Sequence, residues 1–286
     1  MIHLRIAIAG DLHGQWDATD IELLNLLQPD ACLMVGDFSE GEPNIAVQLS
    51  KLHVPVACIL GNHDTGKDPS GEKFQNQLNI LGDLHCAWSW RQWKPPIGIV
   101  GARPGSAGGG FQVSKAITAV YGNITLEQSV ERISSAAKQV PIDQPLVLLA
   151  HCGPSGLGSS ANAPCGRDWK PPALDWGDQD LELAVNVIRQ QRHVGLVVFG
   201  HMHHQLKRGG GSRQTHQLDR WGTSYFNVAS VPRHCSDIHG QRLYHFAWAE
   251  FYGTRLWSLS HNWYRPDGSL CYKQPLLRPS SVAMVN

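Results

Sequence analysis

Hydrophobic positions fall in short continuous runs rich in Val, Ile and Leu, each closed by a small or polar residue. The runs are "LRIAIAG" (4–10), "ACLMVGD" (31–37), "VPVACILGN" (54–62), "IGIVGA" (97–102), "LVLLAH" (146–151) and "VGLVVFG" (194–200). Runs without polar alternation suit strands covered on both faces. Several of the intervening segments have helical spacing. "TDIELLNLLQ" (19–28) sets Ile21, Leu24 and Leu27 on one face, with Asp20 as N-cap and Pro29 as the stop. "NIAVQLSKL" (44–52), "TLEQSVERISSAAKQV" (125–140) and "DQDLELAVNVIRQQ" (178–191) follow the same rule. Strands alternating with helices predict an α/β fold.

After residue 220 the texture changes. "TSYFNVASV", "RLYHFAWAEF" and "RLWSLSHNWY" are aromatic and β-branched, with no helical spacing between them. They predict antiparallel strands in a second sheet stacked on the first. Neither a repeat nor a linker divides the chain, so residues 1–286 are expected to form a single domain, β-rich over 222–286. Three long loops rich in Gly or Pro, 64–96, 101–114 and 152–177, stand out because long loops in a compact domain are usually functional.

Composition narrows the class. With 286 residues, 42% of them hydrophobic, the chain can bury a substantial core. Lys plus Arg and Asp plus Glu number 24 each, so the electrostatic footprint of a dedicated nucleic-acid binder is missing. Seven Cys without a CxxC pair predict reduced, mostly buried thiols and a cytoplasmic location. No basic segment leads into an apolar stretch, and no apolar run is long enough to span a bilayer, so a soluble protein is expected. The 15 His are a surplus whose meaning depends on position.

Those positions are ordered. The first strand ends in Asp11 and His13, the second in Asp37, the third in Asn62 and His63; later strands end in His151 and in His201 and His203. A lone Asp or His after a strand is ordinarily a turn residue or cap. Here five strands deliver carboxylates, imidazoles and an amide to the carboxyl rim, where ligands bind in open α/β sheets. A mixed nitrogen and oxygen set suits Mn, Fe or Zn better than calcium. In D-x-H and H-x-H, residues i and i+2 of an extended backbone share one side, so both side chains can converge.

This series, D-x-H, G-D, G-N-H-D, a lone His and G-H-x-H, resembles the calcineurin-like metallophosphoesterase superfamily from residue 9 to about residue 230. The resemblance implies a four-layer αββα sandwich, two mixed β-sheets flanked by helices. It implies two divalent metal ions, Mn²⁺ first, with Fe or Zn as alternatives. One would be held by Asp11, His13 and His203, the other by Asn62, His151 and His201, with Asp37 bridging. His63 would face a small-molecule phosphomonoester or phosphodiester, attacked by a metal-bridging hydroxide, and Asp64 would orient its neighbours. The protein-phosphatase pattern Asp-x-x-Asp-Arg-Gly is replaced by Asp37-Phe38-Ser39-Glu40-Gly41. Glu40 is therefore the candidate to orient His63, and the phosphate-clamping arginine is missing there. Arg103 in "GARPGSAGGG" and Arg167 in "CGRDW" are the substitutes. Trp88, Trp90, Trp93, Trp169 and Trp176 lie in the long loops, where they either pack or stack on a ligand. Two further readings are a catalytically idle scaffold that binds a protein partner, against which stands the full ligand set, and a nuclease, which the neutral charge does not support.

Overall fold

The computed structural model describes residues 3–93 and 96–277; the ends of the expected 222–286 region and of the 64–96 loop fall partly outside these. In chain order the strands are β1 (His3–Ala9), β2 (Ala31–Met34), β3 (Val56–Cys58), β4 (Trp90–Gln92), β5 (Gly98–Gly101), β6 (Leu146–Cys152), β7 (Leu196–Gly200), β8 (His216–Leu218), β9 (Ser224–Asn227), β10 (His234–Ser236), β11 (Arg242–Tyr252), β12 (Arg255–Tyr264) and β13 (Leu270–Leu277). The helices are α1 (Ala18–Leu27), α2 (Asn44–Leu49), α3 (Glu72–Leu81), α4 (Lys115–Tyr121), α5 (Leu126–Gln139) and α6 (Gln179–Arg189).

The strands form two mixed sheets flanked by helices. One runs β13-β12-β11-β1-β2-β3, with β10 beside β11; the other runs β4-β5-β6-β7-β9-β8. Within the first, β1, β2 and β3 are parallel, and within the second, β5, β6, β7 and β9 are parallel. The parallel strands β2, β3, β5, β6 and β7 are buried at every position, as expected for apolar runs enclosed on both faces. One hydrophobic core spans both sheets, and Phe226 of β9 packs on His261 of β12 with ring centroids 5.0 Å apart.

The aromatic C-terminal strands do not build the separate second sheet that their sequence predicts. β11 instead pairs antiparallel with β1, from His3 opposite Tyr252 to Ile8 opposite Ala247, and extends the first sheet, while β9 joins the second. Local texture specifies strands but not their neighbours. Helix α1 is capped three residues earlier than predicted, by Asp17, whose carboxylate accepts from Thr19 N; Asp20 closes the capping box from inside the helix. Asp20 is buried and pairs with Arg233 at 2.6 Å and His234 at 3.0 Å. The expected 64–96 loop contains α3, and α4 follows the 101–114 loop.

Candidate metal centre

The loops after β1 and β2 are zipped together by backbone bonds: Asp11 N–H donates to Gly36 O, His13 N–H to Asp37 O and Gly14 N–H to Phe38 O, at 2.8–3.0 Å. Asp11, His13, Asp37 and His201 all have φ between 44° and 65°, the left-handed region that is strained for residues with a Cβ. The strain turns each chain end sharply off its strand, so the side chains project over the rim. Two glycines make the approach close enough. A Cβ on Gly61 would stand 2.3 Å from Asp37 Oδ1, and one on Gly200 would stand 2.0 Å from Asp11 Oδ2. The G before N-H-D and the G before H-x-H are therefore clearance for neighbouring carboxylates.

Two donor clusters result, Asp11–His13–His203 and Asp37–His151–His201, each with ligand atoms within 4.8 Å of one another. They adjoin: His13 Nε2 is 3.2 Å from His203 Nε2 and 3.9 Å from Asp37 Oδ2. Asn62 Oδ1 lies 3.0 Å from His151 Nε2, which is 3.4 Å from Asp37 Oδ1. Asp11, Asp37 and His151 are buried, the others half-buried. All seven sequence-predicted ligands are thus brought to one place.

The chemistry of the set fits divalent cations. Burial lowers His13 and pushes His201 to about 3 and His203 to about 4, so these rings stay neutral with lone pairs to give. Burial pushes the Asp11 carboxyl up to about 8 against the pull of His151, which marks a site short of positive charge. Burial alone would lower His151, but Asp37 beside it carries it up to about 10; its Nε2 proton lies among three donor groups, where a cation would serve all of them. Ring orientation is fixed from behind. His151 Nδ1–H donates to Val35 O at 2.7 Å, and His201 Nε2–H to Ala107 O at 3.0 Å, leaving His151 Nε2 and His201 Nδ1 for a metal.

Asp64 does not face the cavity. It is fully buried, its Oδ1 accepting from Phe38 N at 2.8 Å and Ser39 N at 3.3 Å, its Oδ2 from Gly61 N at 2.8 Å. It fastens the Asp37 loop to the Asn62–His63 loop. His63 lines the cavity, and its Nδ1 meets Glu40 Oε1 at 2.7 Å, so the replacement for the absent Asp-Arg pair touches the histidine it was expected to orient.

The two arginines do not reach the cavity. Arg103 is buried, with Nη2 2.7 Å from Asp178 Oδ1 and Nε 3.1 Å from Asp180 Oδ2; it also donates to the carbonyls of Gly110 and Gln112. A guanidinium so occupied cannot clamp a phosphate, and substrate binding by Arg103 is withdrawn. Arg167 lies over the Trp176 ring at 5.0 Å and donates to Pro172 O at 2.7 Å. The tryptophans divide: Trp88 donates to Ser129 Oγ and Trp90 to Gln139 Oε1, both on α5, and Trp93 packs on the core. Trp169 and Trp176 line a cavity of about 420 Å³ together with Asp37, His63, His201 and His203. Sequence reasoning missed Ala107, whose carbonyl holds both His201 and Trp176; a backbone acceptor leaves no signature in a side-chain pattern. It also missed Lys207, which lines the cavity four residues after His203.

The sequence profile described as calcineurin-like phosphoesterase matches residues 4–205. The chain belongs to this family. Several solved structures are similar to this chain at low identity. GAP50, "the anchor in the inner membrane complex of Plasmodium", is 10% identical with a TM-score of 0.52, the match covering 99% of this chain and 91% of GAP50. Phosphopantetheinyl hydrolase from Mycobacterium tuberculosis is 16% identical with a TM-score of 0.45 over 79% of this chain and 89% of the other. A metallophosphoesterase from Sphaerobacter thermophilus is 12% identical with a TM-score of 0.35 over 97% and 89%. No curated protein matches this calcineurin-like phosphoesterase. No described helix is long and apolar enough to cross a membrane.

Proposed function

We propose that this phosphoesterase hydrolyses a small-molecule phosphate ester with a pair of divalent cations. The observation that carries the reading is the convergence of seven nitrogen and oxygen donors from five strand ends, three of which, Asp37, His201 and His203, line one cavity. Asp11, His13 and His203 would hold one cation, Asn62, His151 and His201 the other, with Asp37 between them. When bound, such a pair lowers the pKa of water and offsets the negative charge that develops on a phosphoryl group. The chain supplies the rest. Asp37 also accepts the His63 amide at 2.9 Å, so the metal-side carboxylate and the substrate-side imidazole are set by one bond. Glu40 accepts a hydrogen bond from His63 Nδ1–H, which would orient the ring so that Nε2 faces the leaving oxygen. Nothing in this scheme requires a nucleophilic Ser39 or cysteine; five of the seven cysteines are buried.

Turnover of nitrophenyl phosphate and bis(nitrophenyl) phosphate, with Mn²⁺ and after chelation, tests the proposal. Hydrolysis that requires metal and is lost by more than a hundredfold in Asp37→Ala is the expected result. Metal-independent hydrolysis, or none with either ester, would overturn it and favour a scaffold role.

A further inference from the structure

Beside the donor clusters the same cavity has a wall that phosphoryl chemistry does not require. Trp169 and Trp176 meet edge to face, ring centroids 5.3 Å apart and planes at 81°, forming a right-angled aromatic corner. Trp176 is locked: Nε1–H donates to Ala107 O at 2.9 Å, and the Arg167 guanidinium covers one side. The loop that carries both rings is fixed from beneath by Arg213, which is buried and donates to the carbonyls of Ala161, Ala163 and Gly166 at 2.7–3.0 Å. Asp168, the carboxylate next to Trp169, is already engaged by Arg213 at 3.5 Å and by Lys207 N–H. The exposed Lys207 ammonium, 6.0 Å from the Trp169 ring centroid, therefore adds positive charge at the corner that Asp168 does not absorb.

Resting on the phosphoesterase reading above, the geometry points to a phosphate ester whose organic part is a planar nucleobase, seated in the Trp169–Trp176 corner while its phosphate faces His63, His201 and His203. Indole faces stack on bases of any kind, and a cation beside a π-ring suits both the ring and an anionic ligand. The cavity volume lies in the range of small-ligand sites, 300–1,000 Å³. Packing tryptophans would be buried in the core or hydrogen-bonded away from the cavity, as Trp88 and Trp90 are.

The test is a matched pair, adenosine 5′-monophosphate and ribose 5-phosphate, which share phosphate and sugar and differ by the base. Binding to the chelated protein by calorimetry and kcat/KM in Mn²⁺ are measured for the wild type, Trp169→Ala and Trp169→Phe. The wild type is expected to bind the nucleotide about tenfold to a hundredfold more tightly than the sugar phosphate. Trp169→Ala should bring that ratio to within about threefold, and Trp169→Phe should restore most of it. Equal affinities in the wild type, or a ratio unmoved by Trp169→Ala, would overturn the base seat. Base-dependent binding without turnover of any ester would uphold the seat and refute the hydrolase reading instead, so the two fail separately.

Discussion

Asp64→Asn is nearly isosteric and reports on how the centre is held. The wild-type carboxylate receives three backbone N–H groups on two oxygens in a fully buried position. An amide has one acceptor oxygen. Turned one way, its NH₂ faces Gly61 N–H; turned the other, it faces both Phe38 and Ser39. The cheaper orientation leaves one buried donor unpaired, a loss of about 1–3 kcal/mol, and converts the two remaining bonds from charge-assisted to neutral, each weaker by about 1 kcal/mol. The total is about 3–5 kcal/mol, or a fall in Tm of about 5–8 °C for a chain of this size. Because the broken bonds tie the Asp37 loop to the Asn62–His63 loop, affinity for Mn²⁺ should fall about tenfold to a hundredfold as well. Thermal melts of the Mn²⁺-loaded protein and metal titration of the apoprotein measure the two effects. Wild-type melting with wild-type metal affinity would refute the view that Asp64 fastens the centre together.

Glu40→Gln keeps an acceptor for His63 Nδ1–H and removes a charge that is more than half exposed, so screening limits the loss to about twofold to fivefold in kcat. His63→Ala, which removes the proposed proton donor, should cost about 10²–10⁴ in kcat, and steady-state kinetics separates the two. Arg103→Met strands Asp178 and Asp180 in the interior and should destabilise the protein by about 3–5 kcal/mol; a raised KM with unchanged Tm would instead restore Arg103 as a substrate ligand. Burial pushes His85 down to about 3, and its neutral Nε2 accepts Leu60 N–H. A base depressed in the folded state contributes its full stability above the unfolded pKa near 6.5 and loses it as pH falls from there toward 3. Relative to His85→Gln, the wild type should therefore lose about 1.4 kcal/mol between pH 7.5 and pH 5.5 in urea titrations.

The clustering of the candidate ligands was legible because metal chemistry restricts residue type and because each donor stands at the end of an apolar run, where the chain must turn. Parallel strands buried on both faces announced themselves the same way. What escaped depends on partners distant in sequence. Asp20 looks like a helix cap from its position, yet it faces inward to Arg233 from across the fold, and the cap is Asp17. The pairing of β11 with β1 joins residues nearly the whole chain apart, and no local period encodes it. Arg103 in a glycine-rich loop reads as an anion ligand until Asp178 and Asp180 are placed against it. Of five loop tryptophans, only folding reveals which two border the cavity.

The hydrogen bonds that run from Asp11, His13 and Gly14 to the chain around Asp37 are made by peptide groups alone, so they do not depend on a bound metal. The centre is a mould cast by the main chain, ready before its contents arrive. If the proposed ions bind there, they should exchange at room temperature without refolding, and the metal found in the purified protein should record what the host cell supplied.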